Sequence, residues 1–152
     1  MGNEKQFTVI DLPELNWPAS LKVPKNRFGL FIAADTLETP ADSICAFAIA
    51  ALHAGMVYFS AWGRGCERFH DVVDECLAEP GLNVVGTTAN DVVMTTWHDK
   101  DSLDEALNFF ATCTVPTDGF SEDSDLGLVV CVGHPEWAAS ARRFLRAEDF
   151  SI

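Results

Sequence analysis

The sequence predicts an α/β domain of three layers: a mostly parallel, four- or five-stranded sheet with helices on both faces, flavodoxin-like or Rossmann-like. Two observations predict it. From Phe28 onward, short apolar runs alternate four times with stretches of helical periodicity, as repeated strand–helix units do. The run at 28–34 is continuously apolar up to Asp35, the signature of a strand buried on both faces. Right-handed crossovers are the expected connection between them.

Residues 1–27 read as an extended N-terminal arm on a single domain of residues 28–152. Prolines at 13, 18 and 24 forbid a helix there, and Thr8 to Leu12 suits a short edge strand. The first buried strand, 28–34, ends at Asp35. Thr39-Pro40-Ala41-Asp42 then signals a helix start, and Gly55 a stop. Ile44, Phe47, Ala48, Ile49, Ala51 and Leu52 cover nearly the whole circumference of this helix, 40–54. It is therefore expected either to be deeply buried or to form a homodimer surface.

The second strand, 56–62, leads into a helix from Cys66 to Glu79 whose Phe69, Val72, Val73, Cys76 and Leu77 share one face. Pro80-Gly81 ends it. Residues 82–86 suit a short extra strand, hairpinned into the third main strand at 92–97. Ser102 and Glu105 form a capping box ahead of Leu103, Ala106, Leu107 and Phe110, which recur at core spacing. An acidic loop, 117–125, precedes the fourth strand at 127–132. The last helix starts at Pro135 with Trp137, Ala138, Ala141, Phe144 and Leu145 expected inward; Arg142, Arg143 and Arg146 near its end suit the helix dipole.

Composition narrows the function. A chain with 48% hydrophobic and 22% charged residues folds rather than staying disordered. Its formal charge of −13 argues against nucleic acid and anionic membranes as partners, and is compatible with a basic protein partner. No apolar run approaches the roughly 20 residues of a membrane helix, and "MGNEKQFTVI" lacks the features of a signal peptide. The five cysteines are scattered without a tight framework, so reduced thiols in a cytoplasmic protein are expected, most of them packed as small core residues.

In open parallel sheets, ligands bind beyond the carboxyl ends of the strands. There the chain places Asp35 and Thr36, then Trp62, Gly63, Arg64, Gly65 and Cys66. Trp97, His98, Asp99 and Lys100 follow the third strand, and Gly133, His134, Pro135 and Glu136 the fourth. Asp35, Trp62, Arg64, Trp97, Asp99 and Glu136 are the candidate ligand-binding residues. Cys66 is the candidate nucleophile: a helix N-terminus and Arg64 both favour a thiolate. His98 or His134, oriented by Asp99 or Glu136, would be its base.

Competing patterns are incomplete. Val72 stands where a phosphatase-type loop following Cys66 would carry Arg, and a G-x-S-x-G elbow is absent. Gly63-Arg64-Gly65 lacks the third glycine of a dinucleotide fingerprint, with Arg68 and Phe69 in its place. Cys66, His70, Cys131 and His134 are metal-ligating types, but their spacing matches no zinc finger, so neither metal nor cofactor is expected. The expected function is a small acidic binding or regulatory module, immunity- or antitoxin-like, which engages a basic protein partner or a small ligand at the strand ends. The alternative is a cysteine-dependent hydrolase or transferase using Cys66 with His98 or His134.

Overall fold

The computed structural model describes residues 6–18, 27–78, 94–113, 126–145 and 148–149. Strand β1 (Gln6–Leu12) is followed by β2 (Phe28–Ala33), helix α1 (Ala41–Ala54), β3 (Met56–Trp62) and α2 (Cys66–Leu77). The chain continues through β4 (Met94–His98), α3 (Leu103–Cys113), β5 (Leu126–Val132), α4 (Pro135–Leu145) and the two-residue β6 (Glu148–Asp149). The strands pair in the order β4-β3-β2-β5-β1-β6, all parallel. This is the expected open α/β sheet, five strands with a short sixth at one edge.

The order follows from the local units. The chain steps outward from β2 to β3 to β4 with α1 and α2 on one face of the sheet. It returns to β5 with α3 on the other face, where α4 joins it. Stepping out on one face and back on the other is what crossovers of one hand require. Strand order therefore reverses between β2 and β5.

Two cores result. Phe28, Leu30, Ile32, Phe59, Leu128 and Val130 pack against Ile44, Phe47, Phe69 and Val73 of α1 and α2. On the other face Phe31, Ala33, Val129 and Cys131 meet Ala106, Leu107 and Phe110 of α3 and Ala138 and Ala141 of α4. Glycines make room for the rings here. A Cβ at Gly127 would lie 2.6 Å from the Phe7 ring and 3.0 Å from Phe110.

Five expectations are corrected. The strand expected at Thr8–Leu12 is longer and not quite at the edge: β1 runs seven residues, paired in register with β5 from Gln6↔Leu126 to Leu12↔Val132, and the two-residue β6 lies outside it. Its whole length pairs with β5 on one side, so this part of the arm belongs to the sheet, while β6 covers its outer side only at Thr8 and Val9. Helix α1 does not bury its whole circumference. Ile44, Phe47, Ala48, Ala51 and Leu52 face the core, while Asp42, Ser43, Ala46 and His53 are exposed. Its cap position is Pro40, with no side-chain hydrogen bond, rather than Thr39.

Phe144, expected inward, is 40% exposed at the end of α4. The thiols are not all reduced: Cys45 of α1 and Cys76 of α2 form a disulfide across the packed helix pair, with their Cα atoms 5.8 Å apart. Among the described residues, no helix is long and apolar enough to cross a membrane. The expected strand at 82–86, the start of the third strand at 92–93, the acidic loop 117–125 and Arg146 lie outside the described residues.

Candidate functional site

The loops that follow β2, β3, β4 and β5 converge over the point where strand order reverses. Between them lies a cleft of about 330 Å³ lined by Asp35, Trp62, Gly63, Arg64, His98, Asp99, Asp101, His134 and Trp137. That is the lower end of the size range of small-molecule sites.

The β2–α1 and β3–α2 loops are zipped together by backbone. Ala34 N–H donates to the Trp62 carbonyl at 3.0 Å, and Thr36 N–H to the Arg64 carbonyl at 2.9 Å. Thr36 Oγ1 donates to the Gly65 carbonyl at 3.3 Å, and Arg68 Nη1 to the Thr36 carbonyl at 3.0 Å. This approach demands the glycine pair. Gly63 and Gly65 have φ of 116° and 84°, in the left-handed region. A Cβ at Gly63 would fall on the Ala34 carbonyl oxygen, and one at Gly65 within 2.7 Å of the Leu37 nitrogen. The glycines thus press one loop against another. Arg64 extends from that turn toward Asp35, 3.9 Å away; with the side chains 69% and 43% exposed, this pair contributes little stability.

The β4–α3 loop is held by a chain of polar groups. His98 Nδ1 bonds to Asp101 Oδ2 at 2.9 Å, and Thr96 Oγ1 lies 3.3 Å from His98 Nε2 and 2.8 Å from Ser60 Oγ. With the imidazole neutral, one direction fits the whole chain. Ser60 donates to Thr96, Thr96 donates to Nε2, and Nδ1–H donates to the Asp101 carboxylate. Trp62 Nε1 donates to the Asp101 carbonyl at 2.9 Å, and Phe109 of α3 packs on the His98 ring. His98 is therefore a buried, fully satisfied residue whose Nε2 points back along the strand. It orders the loop that carries Asp99 and Asp101.

The β5–α4 turn places His134 differently. Its Nδ1 bonds to Glu136 Oε1 at 3.1 Å, and its ring stacks on Trp137 with centroids 3.9 Å apart. The Trp137 ring in turn meets Trp62 edge-on at 5.1 Å, closing one wall of the cleft in aromatic carbon. Glu136 accepts its own backbone N–H at the helix start and bonds to His134, and both hold its carboxyl below the usual range. Among the described residues His134 Nε2 has no partner, and the side chain is 42% exposed. Of the two histidines in the cleft, this is the one with a nitrogen to offer.

Cys66 does not take the expected role. Its side chain is 2% exposed and packs in the core beneath α1 and α2. Burial pushes its thiol up. Asp99 adds to that, while the backbone N–H groups of His98, Cys66 and Glu67 act against it. The His98 ring lies on the α3 side of the sheet, so Cys66 and that imidazole are separated by the backbone. Trp97 also faces away from the cleft. It packs against His70 of α2, which bonds to Thr95 and Asp71.

The four metal-ligating types do not assemble either. Cys66 and Cys131 belong to the cores on opposite faces, and burial drives the Cys131 thiol up to about 12. No group of three or more potential metal-ligating side chains occurs among the described residues.

Asp35, Trp62, Arg64, Asp99, His98 and His134 thus line one cleft, and Glu136 supports His134 from outside the lining. Asp101 and Trp137 were not singled out. Each had a local signal: Asp101 follows His98 by three residues in the same loop, and Trp137 stands one helical turn beyond His134.

A family model described as a domain of unknown function, DUF7684, matches residues 8–148, from the second residue after the start of β1 to the first residue of β6. No curated protein and no solved structure matches the chain.

Proposed function

The chain belongs to the DUF7684 family, and we propose that it is a binding module that takes a small ligand in the cleft at the carboxyl ends of β2 to β5. One observation carries this reading. The residues gathered over the strand-order reversal include an aromatic wall, carboxylates, an arginine and an imidazole nitrogen without a partner among the described residues, around a cleft of about 330 Å³. The chain of Ser60, Thr96, His98 and Asp101 holds the loop, and its last two members reach the cleft with their polar atoms already paired to one another. A scaffold that satisfies its buried polar groups separately leaves the lining side chains available to a ligand.

A basic protein partner, as in an immunity- or antitoxin-like role, would draw on the acidic loop 117–125, outside the described residues. A cysteine-dependent reaction is disfavoured by the burial of Cys66. The cytoplasmic setting expected from composition is in tension with the Cys45–Cys76 bond, because the cytosol keeps most thiols reduced. The test is ligand-observed NMR with a panel of small cationic, neutral and anionic ring compounds. Binding by at least one, lost in Trp137→Ala, is expected. Equal binding to both proteins, or to neither, would contradict the proposal.

A further inference from the structure

We infer that the ligand of this cleft is a small organic cation, an ammonium or amidinium group carried on an apolar ring. The inference deepens the binding-module reading and rests on it. Three carboxylates, those of Asp35, Asp99 and Asp101, line the cleft against one guanidinium, that of Arg64. Their states differ. Asp101 is engaged by His98, while Asp35 accepts the Leu37 N–H at 3.3 Å and faces Arg64. Asp99 has no hydrogen-bond or ion-pair partner among the described residues, yet its charge is felt as far as the buried Cys66 thiol. The one lining carboxylate without a partner shares the cleft with the Trp62, Trp137 and His134 rings. Carboxylate plus aromatic surface is the combination that recognises organic cations, the rings adding a cation–π attraction. The overall charge of −13 raises the local concentration of cations further.

The opposite assignment, an anion held by helix N-termini, meets filled slots at α3 and α4, although the start of α2 at Gly65 carries no side-chain cap. At the start of α3, Ser102 Oγ accepts from Glu105 N–H and Glu105 Oε1 from Ser102 N–H, both at 3.1 Å. At the start of α4, the Glu136 carboxylate occupies its own N–H. The chain's own acids thus serve two of the amino-terminal dipoles that an anion would need.

Benzylammonium, benzyl alcohol and benzoate present one ring with a positive, neutral or negative substituent, and titrating each against the full chain by calorimetry tests the inference. Benzylammonium should bind tightest. Asp99→Asn should weaken it about fivefold, the worth of one partly solvated charge contact, and leave benzyl alcohol unchanged. Glu75→Gln, an equal charge change on the exposed face of α2, should have no effect. An unchanged thermal midpoint would confirm that Asp99→Asn folds. If benzoate binds as tightly as benzylammonium, or Asp99→Asn leaves the preference intact, the cation assignment is wrong while the cleft still binds. If none of the three binds, both readings fall.

Discussion

The Cys66 thiol and the His98 imidazole lie on opposite faces of the sheet, although their residues are neighbours across the β3 and β4 ends. The thiol meets the His98 backbone N–H; the imidazole turns to Thr96, Asp101 and Phe109. Nucleophile and base therefore cannot exchange a proton here. Iodoacetamide at pH 8 should leave Cys66 and Cys131 unmodified in the native protein and label both after denaturation. Rapid native labelling of Cys66 would revive the cysteine chemistry.

The buried thiols also shape the alkaline limb of stability. Burial, with the charge of Asp11 adding and Arg142 opposing, raises the Cys131 thiol from 9.0 to about 12 in the folded chain. The neutral thiol is thus favoured by folding. Below pH 9.0 this contribution is fully present; above it the unfolded chain ionises first, and stability drains away toward pH 12. Urea midpoints measured between pH 8 and 11 should fall, and Cys131→Ala should flatten that slope while lowering stability at pH 8. A slope unaffected by Cys131→Ala would refute the attribution.

The Cys45–Cys76 bond fastens α1 to α2 across a sequence separation of 31 residues. Replacing both cysteines by alanine should cost about 2–4 kcal/mol of stability. Oxidised protein should titrate three free thiols in denaturant, the five cysteines less the bonded two. Five thiols in protein quenched with acid directly from its cells would contradict the bond.

Glycine packing gives a contrast between two strand positions. Gly127→Ala drives a Cβ into the Phe7 ring at 2.6 Å and should destabilise by about 1–3 kcal/mol, the usual cost of overpacking. Gly29→Ala meets Phe110 at 3.4 Å, an ordinary contact, and should be near neutral. Thermal midpoints of the two variants compare them directly, and equal losses would overturn the packing argument.

The polar chain predicts a different cost. His98→Ala strips partners from Thr96 and from the Asp101 carboxylate, and should destabilise by about 2–3 kcal/mol. Glu136→Gln, at the exposed start of α4, should leave the midpoint nearly unchanged. Denaturant titrations of both variants check the ranking.

Sequence patterns reach some of these features and miss others for physical reasons. Doubly covered strands such as 28–34 declare themselves through continuous apolar runs, because all but one position of β2 is buried. The full length of β1 and its partner are hidden, because the evidence for them is the pairing with β5, more than a hundred residues away. The location of the cleft follows from topology, since every parallel strand delivers its next loop to the same edge. Side-chain direction was also legible, but only through the period of two. Adjacent residues on β4 point to opposite faces, so Trp97 and His98 could not both line one cleft. Whether His98 or His134 keeps a nitrogen for the cleft depends on partners brought by other elements, Thr96 and Phe109 against Glu136 and Trp137. The disulfide depends on how α1 and α2 turn toward each other, which spacing along the chain does not encode.

The most direct test follows the indole N–H signals of Trp17, Trp62, Trp97 and Trp137 by NMR, assigned through single Trp→Phe variants, as benzylammonium is added. The Trp62 and Trp137 signals should shift together and saturate, while those of Trp17 and Trp97 stay still. Shifts confined to Trp97, or no saturable shift at Trp62 and Trp137, would contradict a ligand site at the carboxyl edge of the sheet.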